Sequence, residues 1–181
     1  NPVTREIRPG ESETLNRHVL FAESDIAASL DELQATCPAL DHVGLVVTWF
    51  GSDLRAGECK VRPAVIDNGA TGFSEPWTVS GVTRDAAPVI SYHSGNAAYG
   101  GTPSDRSVID AIADIKARGL GVTLHPFVMM DIPSGNGLPD PYGGSGQPSY
   151  PWRGRITCSP APMQPSSADK TAAARSQVDG F

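Results

Sequence analysis

Asp53 and Asp131 each come after an apolar run that reads as a strand, and they are the only carboxylates at predicted strand ends. Cleavage of a glycosidic bond needs two carboxyl groups flanking it, roughly 5 to 9.5 Å apart, so these two are the residues to weigh as an acid pair. Against that reading, a loop aspartate more often caps its own turn by accepting backbone N–H groups. Trp49, Phe50, Tyr92 and Trp152 offer apolar ring faces that can stack on sugars, but such rings more often fill a core or an interface. Arg153 and Arg155 can grip a carboxylate or phosphate through two parallel hydrogen bonds; pairing with a neighbouring subunit is the plainer role.

Other chemistries find less footing. His18, His42, His93 and His125 share no metal-ligand spacing, and H-E-x-x-H is absent, so no metal site is expected. His125, inside an apolar run, reads as a core histidine. Ser74 lies in Gly72-Phe-Ser-Glu-Pro76, which is not a nucleophile elbow, and no Gly-rich loop has phosphate-binding spacing. No cofactor is expected. Cys37, Cys59 and Cys158 lack C-x-x-C spacing and read as buried free thiols, with one disulfide plus an odd thiol as the alternative.

The elements that must position these residues are legible in outline. Val43 to Phe50 is nearly continuous in apolar and β-branched residues, as in a parallel strand buried on both faces, and Val122 to Met130 is a second such run. Pro126 would cost the second run a ladder bond unless it lies at an edge or a bulge. Ser24 or Asp25 caps a helix with apolar positions Ile26, Leu30, Leu33 and Cys37, stopped by Pro38. A second helix takes Thr102 as N-cap and Pro103 as its first residue, carries Val108, Ile109, Ile112 and Ile115 as an apolar stripe, and ends at Gly119. Strand, helix and strand make a βαβ unit.

Two long loops follow the strands, residues 51–101 and 131–165. In the first, Lys60 to Ile66 and Trp77 to Thr83 are expected to pair as a hairpin-like arm. Ser166 and Asp169 form a capping box before a helix from Ala168 to about Asp179. Residues 1–22 read as an entry segment or linker, and residues 23–181 as the domain. Loops of this length are usually either functional or disordered, and Trp77, Tyr99, Trp152 and Arg155 are the side chains suited to anchor an interface.

Composition sets the outer limits. The chain has 181 residues, 39% of them hydrophobic, which suffices for a real core. Nineteen Gly and sixteen Pro explain the long loops. Fourteen basic against twenty acidic residues give a net charge of -6 with no basic cluster, so no direct nucleic-acid contact is expected. No apolar run is long enough for a transmembrane segment. The first residue is Asn rather than Met, which suggests a chain cut from a larger protein.

Four segments carry a resemblance: Trp49-Phe-Gly-Ser-Asp-Leu-Arg-Ala-Gly57, Tyr99-Gly-Gly-Thr-Pro-Ser-Asp-Arg106, Pro126-Phe-Val-Met-Met-Asp-Ile-Pro133 and Tyr150-Pro-Trp-Arg-Gly-Arg-Ile-Thr-Cys158. Together they resemble the start of the TIM-barrel-like domain in the very large tail-tip protein, the megatron, of gene transfer agents and related long-tailed phages. The resemblance implies an α/β fold, an incomplete (β/α)8 TIM-barrel-like domain with long inserted loops, because two strands cannot close a barrel of eight. It implies a virion component of the distal tail tip or baseplate, present in three copies about the tail axis. Its partners would be other tail-tip and baseplate proteins and a host surface glycan, and its task host-envelope contact and DNA delivery. The alternatives are a glycoside hydrolase of peptidoglycan or surface glycan whose acids lie beyond residue 181, and a non-catalytic glycan- or receptor-binding barrel.

Overall fold

The computed structural model of the chain describes residues 2–151 and 155–181. In order it contains β1 (Thr4–Arg8), β2 (Glu11–Thr14), α1 (Asp25–Thr36), β3 (His42–Gly51), β4 (Val61–Arg62), β5 (Thr78–Val79), β6 (Val82–Thr83), β7 (Tyr92–His93), β8 (Asn96–Ala97), α2 (Asp105–Ala117), β9 (Gly121–Met130) and α3 (Ala172–Asp179).

The two apolar runs form neighbouring strands. Gly121 N donates to Asp41 O (2.7 Å) at one end and Asp131 N to Gly51 O (2.9 Å) at the other, so β3 and β9 run in the same direction. The expected barrel-like α/β fold is nevertheless not found. The sheet stops at three strands in the order β4-β3-β9, with β4 antiparallel to β3, and the remaining strands make three separate two-stranded antiparallel ribbons. No barrel closes among the described residues. The cause lies in the two long loops: the first turns back on itself as the short hairpins β5–β6 and β7–β8, and the second, among the described residues, supplies no strand.

The chain divides into two compact units, and both β3 and β9 pass from the first into the second. The first unit holds the residues up to Val47, Asp67–Ala87 and Pro103–His125. Its core is Leu30, Ile115 and Leu120, with Leu40, Val43 and Val122 packed against them. The helices therefore cover one face of the strands. The other face stays open: Val46 is 56% exposed, Thr123 on β9 is exposed, and burial alternates from His42 to Val47. This corrects the expectation of strands buried on both faces for their N-terminal halves; at their C-terminal ends the successive residues Phe50 and Gly51, and Met129 and Met130, are buried. His125 is likewise exposed on β9 and not a core residue, and Pro126 fits because β9 is an edge strand.

Residues expected to be an entry segment form the β1–β2 ribbon instead. Gly72 anchors it: Glu6 N donates to Gly72 O (2.9 Å), and with φ at +84° and only 2.7 Å from a Cβ position to Glu6 O, no other residue fits there without strain. The expected arm between Lys60–Ile66 and Trp77–Thr83 does not form. Thr78–Val79 pairs with Val82–Thr83 across Ser80 and Gly81, both at positive φ, so the local turn wins over the distant partner.

The second unit holds Thr48–Ile66, Pro88–Thr102 and Pro126–Phe181. One cluster joins Phe50, Ala64, Ile90 and Met129; another joins Leu54, Cys59, Met130 and Ile132. Here β4 takes the place of the absent strands by pairing Gly51 with Val61 and Phe50 with Arg62. All three cysteines are free, but only Cys59 is buried; Cys37 is exposed and Cys158 half-buried.

The helix ends follow local rules with two shifts. Ser24 caps α1, its hydroxyl accepting from Ala27 N (3.2 Å), as expected. Ser104, not Thr102, caps α2 by accepting from Ser107 N (3.1 Å), since the Thr102 hydroxyl is taken by Ala64 N (3.1 Å). Thr171 caps α3, five residues later than the Ser166 pattern predicts, because Ser166 itself sits at φ +56° and cannot open a helix.

Candidate functional site

Asp53 lies in the second unit just past the end of β3 and is 4% exposed. One of its carboxylate oxygens accepts from Arg55 N (2.8 Å), Arg55 Nε (3.0 Å) and Gln147 Nε2 (2.7 Å); the other accepts from Arg55 Nη2 (2.7 Å). Gln147 completes the bracket by accepting from Leu54 N (2.9 Å) and donating to Pro139 O (3.0 Å). Burial alone would raise the Asp53 pKa, but the side-chain and backbone hydrogen bonds from Arg55 and the bond from Gln147 outweigh it and hold the carboxyl below its ordinary value. Such a group stays ionised and keeps no proton to give. It fastens the loop after β3 to the loop around Gln147, as the turn-capping reading of its position implies.

Asp131 follows β9 in the same unit and is half-buried. Its carboxylate accepts from Ser91 N at 3.1 and 3.4 Å. Around it stand aromatic residues. Tyr99 donates its hydroxyl to Met130 O (3.0 Å), and burial, with Asp131 and Tyr150 adding negative charge nearby, pushes its phenol pKa up. Tyr150 donates to Tyr92 O (3.1 Å) and meets the His93 ring edge-on at 5.5 Å and the Tyr99 ring at 6.4 Å. Tyr92 is 51% exposed, with its hydroxyl on Ile66 O (3.1 Å). The arrangement presents a carboxylate beside aromatic rings, and among the described residues no second carboxylate takes part in its hydrogen bonds.

The other sequence candidates scatter. Trp49 is half-buried within β3. Trp77 is 9% exposed in the first unit, where Arg84 stacks over Phe73 (4.1 Å) and approaches Trp77 (5.9 Å), leaving little indole for another chain. Arg155 is exposed, and its carbonyl accepts from Tyr142 Oη (2.8 Å). Trp152 and Arg153 lie outside the described residues. Among the described residues no three His, Cys, Asp or Glu side chains gather as metal ligands, and no helix is long and apolar enough to cross a membrane.

Sequence reasoning gave no role to Gln147 or Tyr150 and weighed His93 only as a metal ligand. Gln147 sits in the Gly-Pro loop with no spacing signal, 94 residues from its partner. Tyr150 opens one of the four quoted segments, yet only its position against His93 and Tyr99 gives it a role.

Those four segments meet in the second unit. Thr157 N donates to Leu54 O (2.8 Å), Ala56 N to Thr157 O (2.8 Å), Tyr150 N to Ile132 O (2.7 Å) and the Tyr99 hydroxyl to Met130 O (3.0 Å), so the parts of the four segments that lie in this unit hold one another in place. No protein-family model and no curated protein matches the chain, and its function must be argued from this geometry.

Proposed function

We propose that the chain is a structural and interaction component of the distal tail tip or baseplate of a phage-like particle, taking part in host-envelope contact and DNA delivery. The observation that supports this most is the state of Asp53: a carboxylate that accepts four hydrogen bonds inside its own loop bracket is a fastener, and Asp131 is left without a partner acid. The four segments that carry the resemblance serve the same end, since they hydrogen-bond to one another. Within the first unit, Leu20 (93%), Phe21 (83%) and Val46 (56%) are exposed, as is normal for surfaces that other chains cover.

The test is immunogold labelling of purified particles with antibodies raised against this chain. Gold at the distal end of the tail is the expected result; particles free of label, with the chain recovered elsewhere, overturn the proposal.

A second reading, non-catalytic binding of a host surface glycan, is favoured by exposed Tyr92 beside His93, Tyr150 and Asp131, because sugar C–H faces stack on such rings while a carboxylate accepts from hydroxyls. It expects Tyr92→Ala and Asp131→Ala to reduce retention on host cell-wall material. Equal retention of both variants and the parent excludes it.

A further inference from the structure

Within the first unit, a groove of about 470 Å³ lies between α1, α2 and the early part of β3, a size ordinary for binding sites. Its apolar lining comes from Ile26 on α1, Leu45 on β3, and Val108 and Ala111 on α2. Glu23, Glu75, Asp110 and Asp114 also line it, and no Lys or Arg does. Arg106 pairs with Asp110 (2.9 Å) and Arg118 with Asp114 (3.1 Å), and Arg106 also feels Glu75, so part of this charge is answered from outside the groove. Glu23 and Glu75 stand outside the ion pairs formed among the described residues.

An apolar floor whose charged lining residues are acidic selects its occupant by charge. We infer that this groove takes a peptide segment of another protein chain, apolar at its centre and flanked by Lys or Arg, whose apolar side chain covers Val108 and Ala111 while its cations meet Glu23 and Glu75. A helix or extended segment laid in a groove is a common recognition mode, and complementary charge sets its specificity and rate of arrival. A second copy of this chain is a poor occupant, since its net charge is -6 and it has no basic cluster. An anionic lipid surface is repelled by the same acidic residues. The inference rests on the interaction role proposed above and names one surface for it.

Fluorescence anisotropy with the full chain tests it, using a short fluorescein-labelled peptide of Leu and Lys and, as control, its Leu-and-Glu counterpart. The Leu-Lys peptide is expected to bind with an affinity that falls as salt rises, and the Leu-Glu peptide not to bind. Glu23→Gln combined with Glu75→Gln should weaken binding about five-fold, the scale of two exposed charge pairs. Ser107→Trp, at a groove-lining and exposed position, should abolish it, whereas Ile109→Trp, 60% exposed and outside the lining, should not. Equal binding of both peptides, no effect of the double substitution, or no binding by a chain whose circular dichroism shows it folded each overturns the inference. Immunogold labelling does not depend on any of these outcomes, so a failed groove with labelled tails leaves the tail-tip role standing, and unlabelled tails sink that role alone.

Discussion

At the scale of single residues, Asp53, Arg55 and Gln147 show how a side chain that looks catalytic becomes structural. Asp53→Asn keeps the shape but replaces one acceptor oxygen with a donor facing the Arg55 guanidinium, whose side chain is 22% exposed. The loss of charge-assisted bonds should cost about 2 to 3 kcal/mol, read as a lower urea midpoint with an unchanged slope. The same carboxylate predicts a pH dependence. Its folded pKa is depressed, so its stabilisation is present above the ordinary aspartate value and is lost as pH falls through the lower, folded value. Acid titration should therefore show a steep loss of stability below about pH 4 that is shallower in Asp53→Asn. If the protein carrying this chain cleaves glycans at all, neither Asp53→Asn nor Asp131→Asn should lower the rate by the roughly thousand-fold expected of an essential acid, as long as the variant remains folded. A drop of that size would place the chemistry here. The position of Asp53 after a strand was readable in the sequence, and so was its turn-capping alternative. Its true partner was not, because Gln147 is brought in by the fold over 94 residues and no local pattern marks it.

At the scale of elements, the sequence is most readable where one short-range force dominates. Ser24 caps α1 as expected because nothing competes for its hydroxyl. Thr102 has the same local credentials for α2, yet it lies next to Ala64 in space: its N–H donates to Ala64 O (2.8 Å) and its hydroxyl accepts from Ala64 N, a two-way bond that a capping rule cannot foresee. Gly101 permits the approach, since a Cβ there would meet Ala64 O at 3.0 Å. This exchange of roles is testable. Ser104→Ala should cost about 1 kcal/mol as the loss of an exposed cap. Thr102→Val leaves Ala64 N buried without that acceptor and should cost more, about 1 to 3 kcal/mol. Chemical denaturation of both variants compares them directly, and a larger loss for Ser104→Ala would contradict this ranking. The short ribbons were the least legible elements. Two-residue strands such as β5 and β6 carry no periodicity, and positive φ at Ser80 and Gly81 decides their pairing.

At the scale of the whole molecule, the correctly read strands led to an incorrect architecture. Val43 to Phe50 and Val122 to Met130 do pair, but a continuous apolar run specifies only that a strand is tolerated in apolar surroundings, not how many neighbours it has. Here the sheet ends at β9, whose outer edge carries exposed Leu124, His125 and Pro126. A sheet margin that exposes apolar side chains favours association with other chains, while Pro126 interrupts the row of donors and limits how regular that association can be. Leu124→Lys discriminates between a surface that is idle and one that a partner covers. Lysine on an edge strand is a common device against association, so the variant should stay monomeric and scatter less light than the parent when the isolated chain is warmed. In assembled particles the same substitution should reduce incorporation of the chain, because covering Leu124 would then require stripping water from an ammonium group. Scattering that is unchanged in isolation together with normal incorporation would mean that this face meets solvent in both settings, and the covered surface would have to be sought elsewhere on the molecule.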